Sequence, residues 1–386
     1  MKIVYITNAR LPTEKAHGVQ ILKMIQAFSG LGHKTTLIHP KRFQKEISHK
    51  KSVYEFYGLE KLFDVKSINF IDPYIFRSFM PKFIYRLLSF IVDLIWGVVS
   101  VINLKKLNPD FLMFRDNTPF SLFFSSFMSI PCVIEFHNMP PFISKRIFKL
   151  VLNRSNKIIC FGITKNLSSD LEDYFNLNKG SVKTIHDAVD IDQFKNDPVI
   201  KKNSKEPIIT YCGSLSMEKG TDLIIETANK LKDFKINIVG GLDSSVKKYS
   251  SKSNLIQANN IKFIGQVLPT KVPSLLFKSD ILLLPSSAFT KKSNEYTSAM
   301  KMFEYLATGI PIVASNIPSN SEILTTGVNA VLFNPDDSSS LEKEIRNLWE
   351  NYELRKSISK NSIQLSLQYT WTKRCRIIEH EVQKLI

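Results

Sequence analysis

Short apolar runs and stretches with helical spacing alternate along the whole chain. Residues 2–7 form an apolar run of strand length, followed by a loop with His17 and Gly18 and then by Ile21, Ile25 and Phe28 at three- and four-residue spacing. That spacing predicts a helix, which Gly30 and Gly32 stop before residues 35–39 supply the next strand. Further strands are predicted at 111–114, 132–136, 157–161 and 182–185, with helical or loop material between them. Repeated strand–helix–strand order argues an α/β protein with a doubly wound parallel sheet.

A polar, lysine-rich segment with Pro198, residues 195–205, interrupts this order, and the pattern restarts at 207–213. A helix at 222–231 and strands at 236–239, 261–264, 281–284, 312–314 and 330–333 predict a second Rossmann-like unit. The expected domains are therefore 1–197 and 198–369. Beyond them Trp371, Ile377, Ile378, Val382 and Leu385 recur at roughly helical spacing, giving residues 370–386 an apolar face that needs a partner. Residues 336–340 read as the N-cap of the helix that follows.

One stretch breaks the alternation. Residues 83–104 are almost wholly apolar, interrupted by Arg86 and Asp93 and flanked by Arg77, Lys82, Lys105 and Lys106. Two charges inside it argue against a bilayer-spanning helix, since each costs a few kcal/mol at the membrane centre. Two readings stay open: a buried helix of the first domain, or an interfacial helix with Trp96 and the phenylalanines dipping into lipid beside cationic flanks. Both can hold for different faces.

Charge sharpens that picture. The net charge is +17, and residues 1–195 hold 27 Lys/Arg against 16 Asp/Glu, so +11 of it lies there. Nucleic acid, anionic lipid or an acidic substrate would each suit such a surface, but no basic recognition helix, finger or aromatic RNA-binding motif supports nucleic acid. Cys132, Cys160, Cys212 and Cys375 are scattered without CxxC spacing and read as reduced thiols, neither a disulfide framework nor a metal site. The apolar run at 2–7 is too short for a signal-peptide core, so a cytoplasmic location is expected, with a peripheral position on the inner membrane face as one option.

In an open parallel sheet, ligands bind at the carboxyl ends of strands, and three such places carry chemistry. Gly213, Ser214 and the residues up to Lys219 and Gly220 join a strand end to a helix start; a lysine there suits a diphosphate, although a solvated turn lysine has the same signature. Residues 280–286 lead into Tyr296, Thr297, Ser298, Ala299, Met300, Lys301, Met302, Phe303 and Glu304. Small residues at that helix start allow backbone N–H groups to approach phosphates, and the carboxylate of Glu304, between apolar neighbours that mark a buried helix, is suited to accept both hydroxyls of a ribose. His137 ends an apolar strand in the first half; it is either a ligand for a sugar hydroxyl or phosphate, or a structural histidine.

Together these segments resemble glycosyltransferase family 4, the retaining enzymes among the glycogen-synthase-like group 1 glycosyltransferases, over nearly the whole chain. Leu31-Gly32-His33-Lys34 is similar to a turn of the family's first βαβ unit, and residues 185–194 to its IPNGVD...F segment. Residues 213–220 resemble GRL..EKG, residues 263–267 FLG.V, and residues 300–315, the most specific match, MKLFEYMA.GKPVVAS. The resemblance implies GT-B architecture, two Rossmann-like domains facing a cleft, with residues 370–386 returning to the first. It implies a nucleotide-sugar donor of UDP or GDP type, a glycan or lipid-linked acceptor, and no metal or other cofactor. Residue by residue, Lys219 would bind the diphosphate, Glu304 the ribose, and Gly265 to Val267 the base. Backbone from Ser298 through Ala299, Met300 and Lys301 to Met302 would cradle phosphates or the sugar, with Gly18 near them, and His137 would sit beside the transferred sugar.

Two departures qualify it. Ser214 stands where the family usually has arginine, and Tyr296 where it has a first glutamate, with Glu295 one place out of register; Lys301 is a substitute contact for the donor. No protein nucleophile is evident. A sugar-nucleotide epimerase of the same fold, or a non-catalytic subunit that keeps the fold without turnover, remain the competing readings.

Overall fold

The computed structural model describes residues 1–386 apart from Glu14, residues 43–51, Ser78, Lys105 and the side chain of Tyr74. Lys105, one of the expected flanking cations, thus lies outside the described residues.

The chain divides into two compact units. The first takes Met1–Ile163, Leu167–Ile185 and Trp371–Ile386; the second takes His186–Thr370, with Thr164–Asn166 counted alongside it. Among the described residues the first unit holds seven strands: β1 (Lys2–Ile6), β2 (Lys34–Lys41), β3 (Asp64–Asn69), β4 (Phe111–Arg115), β5 (Cys132–Phe136), β6 (Ile158–Gly162) and β7 (Val182–Thr184). All pair in parallel, in the order β3-β2-β1-β4-β5-β6-β7. Ile3 stands between Thr35 of β2 and Phe111 of β4, which fixes the central register. The second unit repeats the plan with β8 (Ile208–Cys212), β9 (Lys235–Val239), β10 (Ile261–Gly265), β11 (Ile281–Leu284), β12 (Ile312–Ser315) and β13 (Val331–Phe333), ordered β10-β9-β8-β11-β12-β13.

Apolar residues fill these strands because helices cover both faces of a parallel sheet, leaving no side for polar alternation. The expected doubly wound α/β fold is the fold found. Among the described strands only β3 escaped the sequence pattern: no residue of Asp64–Asn69 is buried, since it is an edge strand paired on one side alone, so it carries no buried run. In each sheet the strand order reverses once, between β1 and β4 and between β8 and β11, which opens a crevice at the carboxyl ends of those strands.

The unit boundary falls at 185/186 and not at 197/198. Residues 186–194 belong to the second unit because His186 lies 3.5 Å from Glu322, and Val189 and Phe194 are buried in its apolar cluster with Leu282, Leu284 and Phe303. The helix Trp371–Gln383 packs on the helix Ala16–Gly30 of the first unit and ties to β7 through a Lys183–Glu381 ion pair.

Residues 83–104 form the helix Lys82–Ile102, and only one edge of it is covered. Val92, Trp96, Gly97 and Ser100 are buried; Trp96 meets Phe70 edge-on at 5.2 Å, and the Ser100 hydroxyl donates to Ser121 Oγ at 2.9 Å. The reading that sent Trp96 into lipid is therefore overturned: the indole is 1% exposed, part of the packing that docks this helix on its neighbour Pro119–Ser125. Asp93 also turns inward, accepting from Asn8 Nδ2 at 2.6 Å, and burial pushes its carboxyl up. By length and composition the helix would suit a membrane span, with a mean hydropathy of 1.8 over its most apolar window. Docking at Gly97 is close: a Cβ there would meet Phe120 Cβ at 2.6 Å and its backbone carbon at 2.9 Å. Gly97→Val should lower stability by about 2 kcal/mol through overpacking, read by urea unfolding.

Candidate active site

Strand β8 ends in Cys212 and Gly213. Gly213 has φ 155°, and a Cβ on it would lie 2.4 Å from Lys301 Nζ, so the absence of a side chain there makes room for the lysine. Tyr211, one turn of strand earlier, is fully buried; its hydroxyl donates to the Ser214 carbonyl at 2.7 Å while its ring lies 4.0 Å beneath the Lys301 ammonium. The chain then makes a short turn, Met217–Lys219, and passes through Gly220 (φ 71°) into the helix Thr221–Ala228. Gly220 is forced by contact: its Cβ would stand 1.8 Å from the Pro285 carbonyl at the end of β11.

The loop after β11 closes on this turn. Ser287 N–H and Ser293 Oγ both donate to the Glu218 carbonyl, at 3.1 and 2.9 Å. Ser298 is buried, and its hydroxyl accepts the Asp187 N–H at 2.8 Å. The helix Met300–Thr308 begins at Ala299 without a side-chain cap, so its first-turn N–H groups point their dipoles into the switch point. Lys301 lies in that first turn and Glu304 one turn further, both half-buried. Tyr305 anchors the helix to β8, its hydroxyl accepting the Cys212 N–H at 2.8 Å.

Electrostatics set this place apart. Burial pushes the Lys301 ammonium down to about 7, and the charge of Lys219 adds to the shift. Lys219 is likewise lowered by burial, with Glu218 opposing the shift and Lys292 adding to it. Burial raises the Cys212 thiol to about 12, with Glu304 contributing, so it is inert at neutral pH. The charge of Lys219 is felt at Lys301, and each ammonium is disfavoured by burial, so the site gains by taking an anion.

The remaining expected donor residues lie around the same sheet edge or loops. Gly265 closes β10 with φ 76°, and its carbonyl accepts the Gly240 N–H at 2.7 Å; Val267 follows in the half-buried loop. Ser214 is exposed. Tyr296 is buried with the Lys291 ammonium 5.5 Å over its ring, and Glu295 is drawn to Lys291 at 3.9 Å.

In the first unit Gly18 is buried in the first turn of the helix Ala16–Gly30. A Cβ there would meet Tyr57 Oη at 2.3 Å and Thr13 Cγ2 at 2.5 Å, so packing demands the glycine. Tyr57 Oη in turn donates to the Thr13 carbonyl and accepts its N–H, both at 2.7 Å. His137 stands just past β5, its N–H donating to Asp116 Oδ2 at 3.0 Å and its Nε2 bonded to Glu135 Oε1.

Sequence reading missed what holds that histidine. Glu135 is 1% exposed; Gln20 Nε2 donates to it at 2.7 Å, Arg115 donates to Gln20 Oε1 at 2.7 Å, and Arg374 of the last helix pairs with its other oxygen at 2.7 Å. Burial raises the Glu135 carboxyl, but Arg374 and His137 outweigh it and hold it well below the ordinary carboxylate range. Nearby His17 is pushed down to about 3 by burial, with Arg115 second, and stays neutral at physiological pH. A charge in the middle of an apolar central strand was the available signal for this network.

The second of the two doubly wound units thus carries a cationic switch point and a helix carboxylate. Residues 192–365 match the family model described as glycosyl transferases group 1. An uncharacterized glycosyltransferase of Methanocaldococcus jannaschii is 25% identical over 64% of this chain and 66% of its own length. The O-antigen chain mannosyltransferase RfbU of Salmonella typhimurium is 24% identical over 55% of this chain and 58% of its own. The chain spans less than two thirds of the length of these curated relatives. Among solved structures, Anabaena HepE in complex with UDP-glucose is 17% identical, covers 100% of both chains and superposes with a TM-score of 0.71, a GT-B likeness in fold.

Arg374→Met should cost about 3 kcal/mol or more at neutral pH, because it strands a buried carboxylate. The sign with pH is diagnostic. In the natural chain the depressed Glu135 contributes stability that is complete above the ordinary carboxylate pKa of about 4.3 and is lost as pH falls below it. In the variant burial is no longer outweighed, so the deficit should shrink as pH falls and Glu135 takes up a proton. Chemical unfolding from neutral to acidic pH reads both slopes.

Proposed function

We propose that this chain is a retaining glycosyltransferase, moving a sugar from a nucleotide-sugar donor of UDP or GDP type to a hydroxyl of a glycan or lipid-linked acceptor. Its setting is cell-surface polysaccharide or glycoconjugate synthesis in the cytoplasm, peripheral to the membrane. The observation that carries the reading is the pair of half-buried lysines, Lys219 and Lys301, with Glu304 at the carboxyl ends of β8 and β11. The UDP-glucose complex of HepE and the mannosyltransferase name of RfbU support the donor class and the kind of pathway. Four free cysteines, three of them buried, suit a reducing compartment.

In this reading Lys219, Lys301 and the first-turn N–H groups at Met300 to Met302 take up the charge that develops on the departing diphosphate, so no metal is invoked. Backbone from Ser298 and Ala299, with Ser214 and Gly213, lines the phosphates. Glu304 accepts the ribose hydroxyls, and Gly265 and Val267 flank the base. Within the first unit, His137, oriented by Glu135, is assigned to a sugar hydroxyl, and Gly18 to close backbone approach of a ligand. No side chain acts as nucleophile. The departures at Ser214 and Tyr296 favour one second reading, a subunit that binds nucleotide sugar without turnover.

A panel of nucleotide sugars, followed by ligand-observed NMR and by released nucleotide, separates the two. Binding with slow donor hydrolysis, both lost in Glu304→Ala, is expected; binding without release selects the subunit reading, and binding of none refutes both. Lys219→Ala should lower turnover about a hundredfold because leaving-group charge appears in the transition state. An unchanged rate would remove Lys219 from that role.

Lys301 adds a signature independent of turnover. With its ammonium pushed down to about 7, the group is largely neutral above that pH, and a bound diphosphate restores the charge. Nucleotide binding at pH 8 should take up a proton, read as a binding enthalpy that varies with buffer ionisation heat, and Lys301→Met should abolish the dependence.

A further inference from the structure

Among the described residues, the outward face of the helix Lys82–Ile102 has no partner in the fold. Ile84, Leu87, Ile91, Ile95, Val98 and Ile102 follow one another at three- and four-residue steps and are all 39–58% exposed, so they form one straight apolar stripe. Phe79 and Phe83, 85% and 71% exposed, extend it at the amino end. Soluble surfaces scatter such side chains singly, and a contiguous row along a whole helix marks a docking surface.

What borders the stripe decides its occupant. Right-handed crossovers put Lys82–Ile102, Pro119–Ser125 and Phe142–Arg154 on the same face of the first sheet, and each packs against the next. Phe142–Arg154 carries Phe142, Ile143 and Leu150, all more than half exposed, among Lys145, Arg146, Lys149 and Arg154. Arg146, Lys149 and Arg154 line a shallow groove of about 550 Å³ with Leu150 and Asn153. Arg154 stacks over Phe127 at 4.6 Å and Arg146 over Phe142 at 4.9 Å, guanidinium groups laid on exposed rings. Acids are sparse on these three helices. Residues 136–169 contain no Asp or Glu, and between 77 and 106 the one acid is Asp93, which turns inward to Asn8 while Arg77, Lys82, Arg86 and Lys106 stay exposed.

We infer that this face of the first unit is a docking surface for an anionic lipid bilayer. The helix Lys82–Ile102 lies in the plane of the interface with its stripe among the acyl chains, and the groove of Arg146, Lys149 and Arg154 receives headgroup phosphates. A second copy of the chain would satisfy the apolar stripe but not the cations beside it, since the same surface meeting itself sets like charge against like. Anionic lipid satisfies both. The buried edge of the helix, with Trp96 and Gly97 committed to packing, keeps it on the surface and out of a spanning position. The inference deepens the peripheral location proposed above but stands apart from the donor chemistry, since its test needs no sugar.

The purified full chain is sedimented with vesicles of phosphatidylcholine alone and of phosphatidylcholine with phosphatidylglycerol, at low and high salt. Binding to the mixed vesicles that weakens with salt is expected. The triple variant Leu87→Ser, Ile91→Ser, Ile95→Ser should lose partition by on the order of a hundredfold, since each side chain is exposed and replaceable without disturbing the fold. Arg146→Ala, Lys149→Ala and Arg154→Ala should each weaken it about fivefold at low salt. Thermal unfolding of the variants, expected unchanged, separates lost docking from lost structure. Failure to bind either vesicle would overturn the inference, as would binding indifferent to both sets of substitutions. A concentration-dependent dimer abolished by the serine variant, with no vesicle binding, would instead give the stripe to a second copy.

Discussion

Parallel pairing is the constraint from which the rest follows. When all strands of a sheet run one way, each must be left by a crossover, and every strand-to-helix loop is delivered to the same edge. The backbone groups of β1 and β4, or of β8 and β11, are satisfied within the sheet, so the loops after them are free to serve chemistry. Where strand order reverses, the two neighbouring loops diverge and leave space between them. Gly213, Gly220 and Lys301 sit at that place in the second sheet. Both glycines are set by close approach: the first to the lysine and the second to the Pro285 carbonyl.

At that edge the fold tolerates a local cost. Lys219 and Lys301 are half-buried cations whose mutual repulsion and desolvation favour loss of a proton. Such a pair adds nothing to folding stability, and its presence in a tightly packed switch point is intelligible when an anion completes the site. The opposite arrangement occurs in the first unit. There Glu135 is fully buried and fully answered, by Gln20, His137 and Arg374, so the charge is a fixed part of the scaffold that orients His137.

Most of the fold was legible in the sequence because buried parallel strands announce themselves as short apolar runs. The strands at 132–136 and 281–284 were bounded to the residue by that signal. β3 was not legible, since an exposed edge strand has neither a buried run nor clean alternation. The unit boundary was misplaced because polarity marked the linker, whereas Val189 and Phe194, two apolar residues without periodic context, decide where the segment packs. For the site, Lys219 and Glu304 stood out by their position after strands. Arg374 did not, because its partner is distant in sequence and nothing local reveals that a helix residue near position 374 faces a carboxylate at 135. Trp96 misled for a related reason: composition describes a helix as a whole, and only packing assigns its faces.

The Glu135–Arg374 pair also bears on the order in which the protein is made. A ribosome finishes the seven strands of the first unit long before it reaches residue 371, and the whole second unit is synthesised in between. Throughout that interval the nascent first unit holds an acid in its centre without its guanidinium, and the helix Ala16–Gly30 waits for the helix that will cover it. The half that emerges first is thus the half that matures last, and a chaperone or membrane surface that shelters it meets it in that incomplete form.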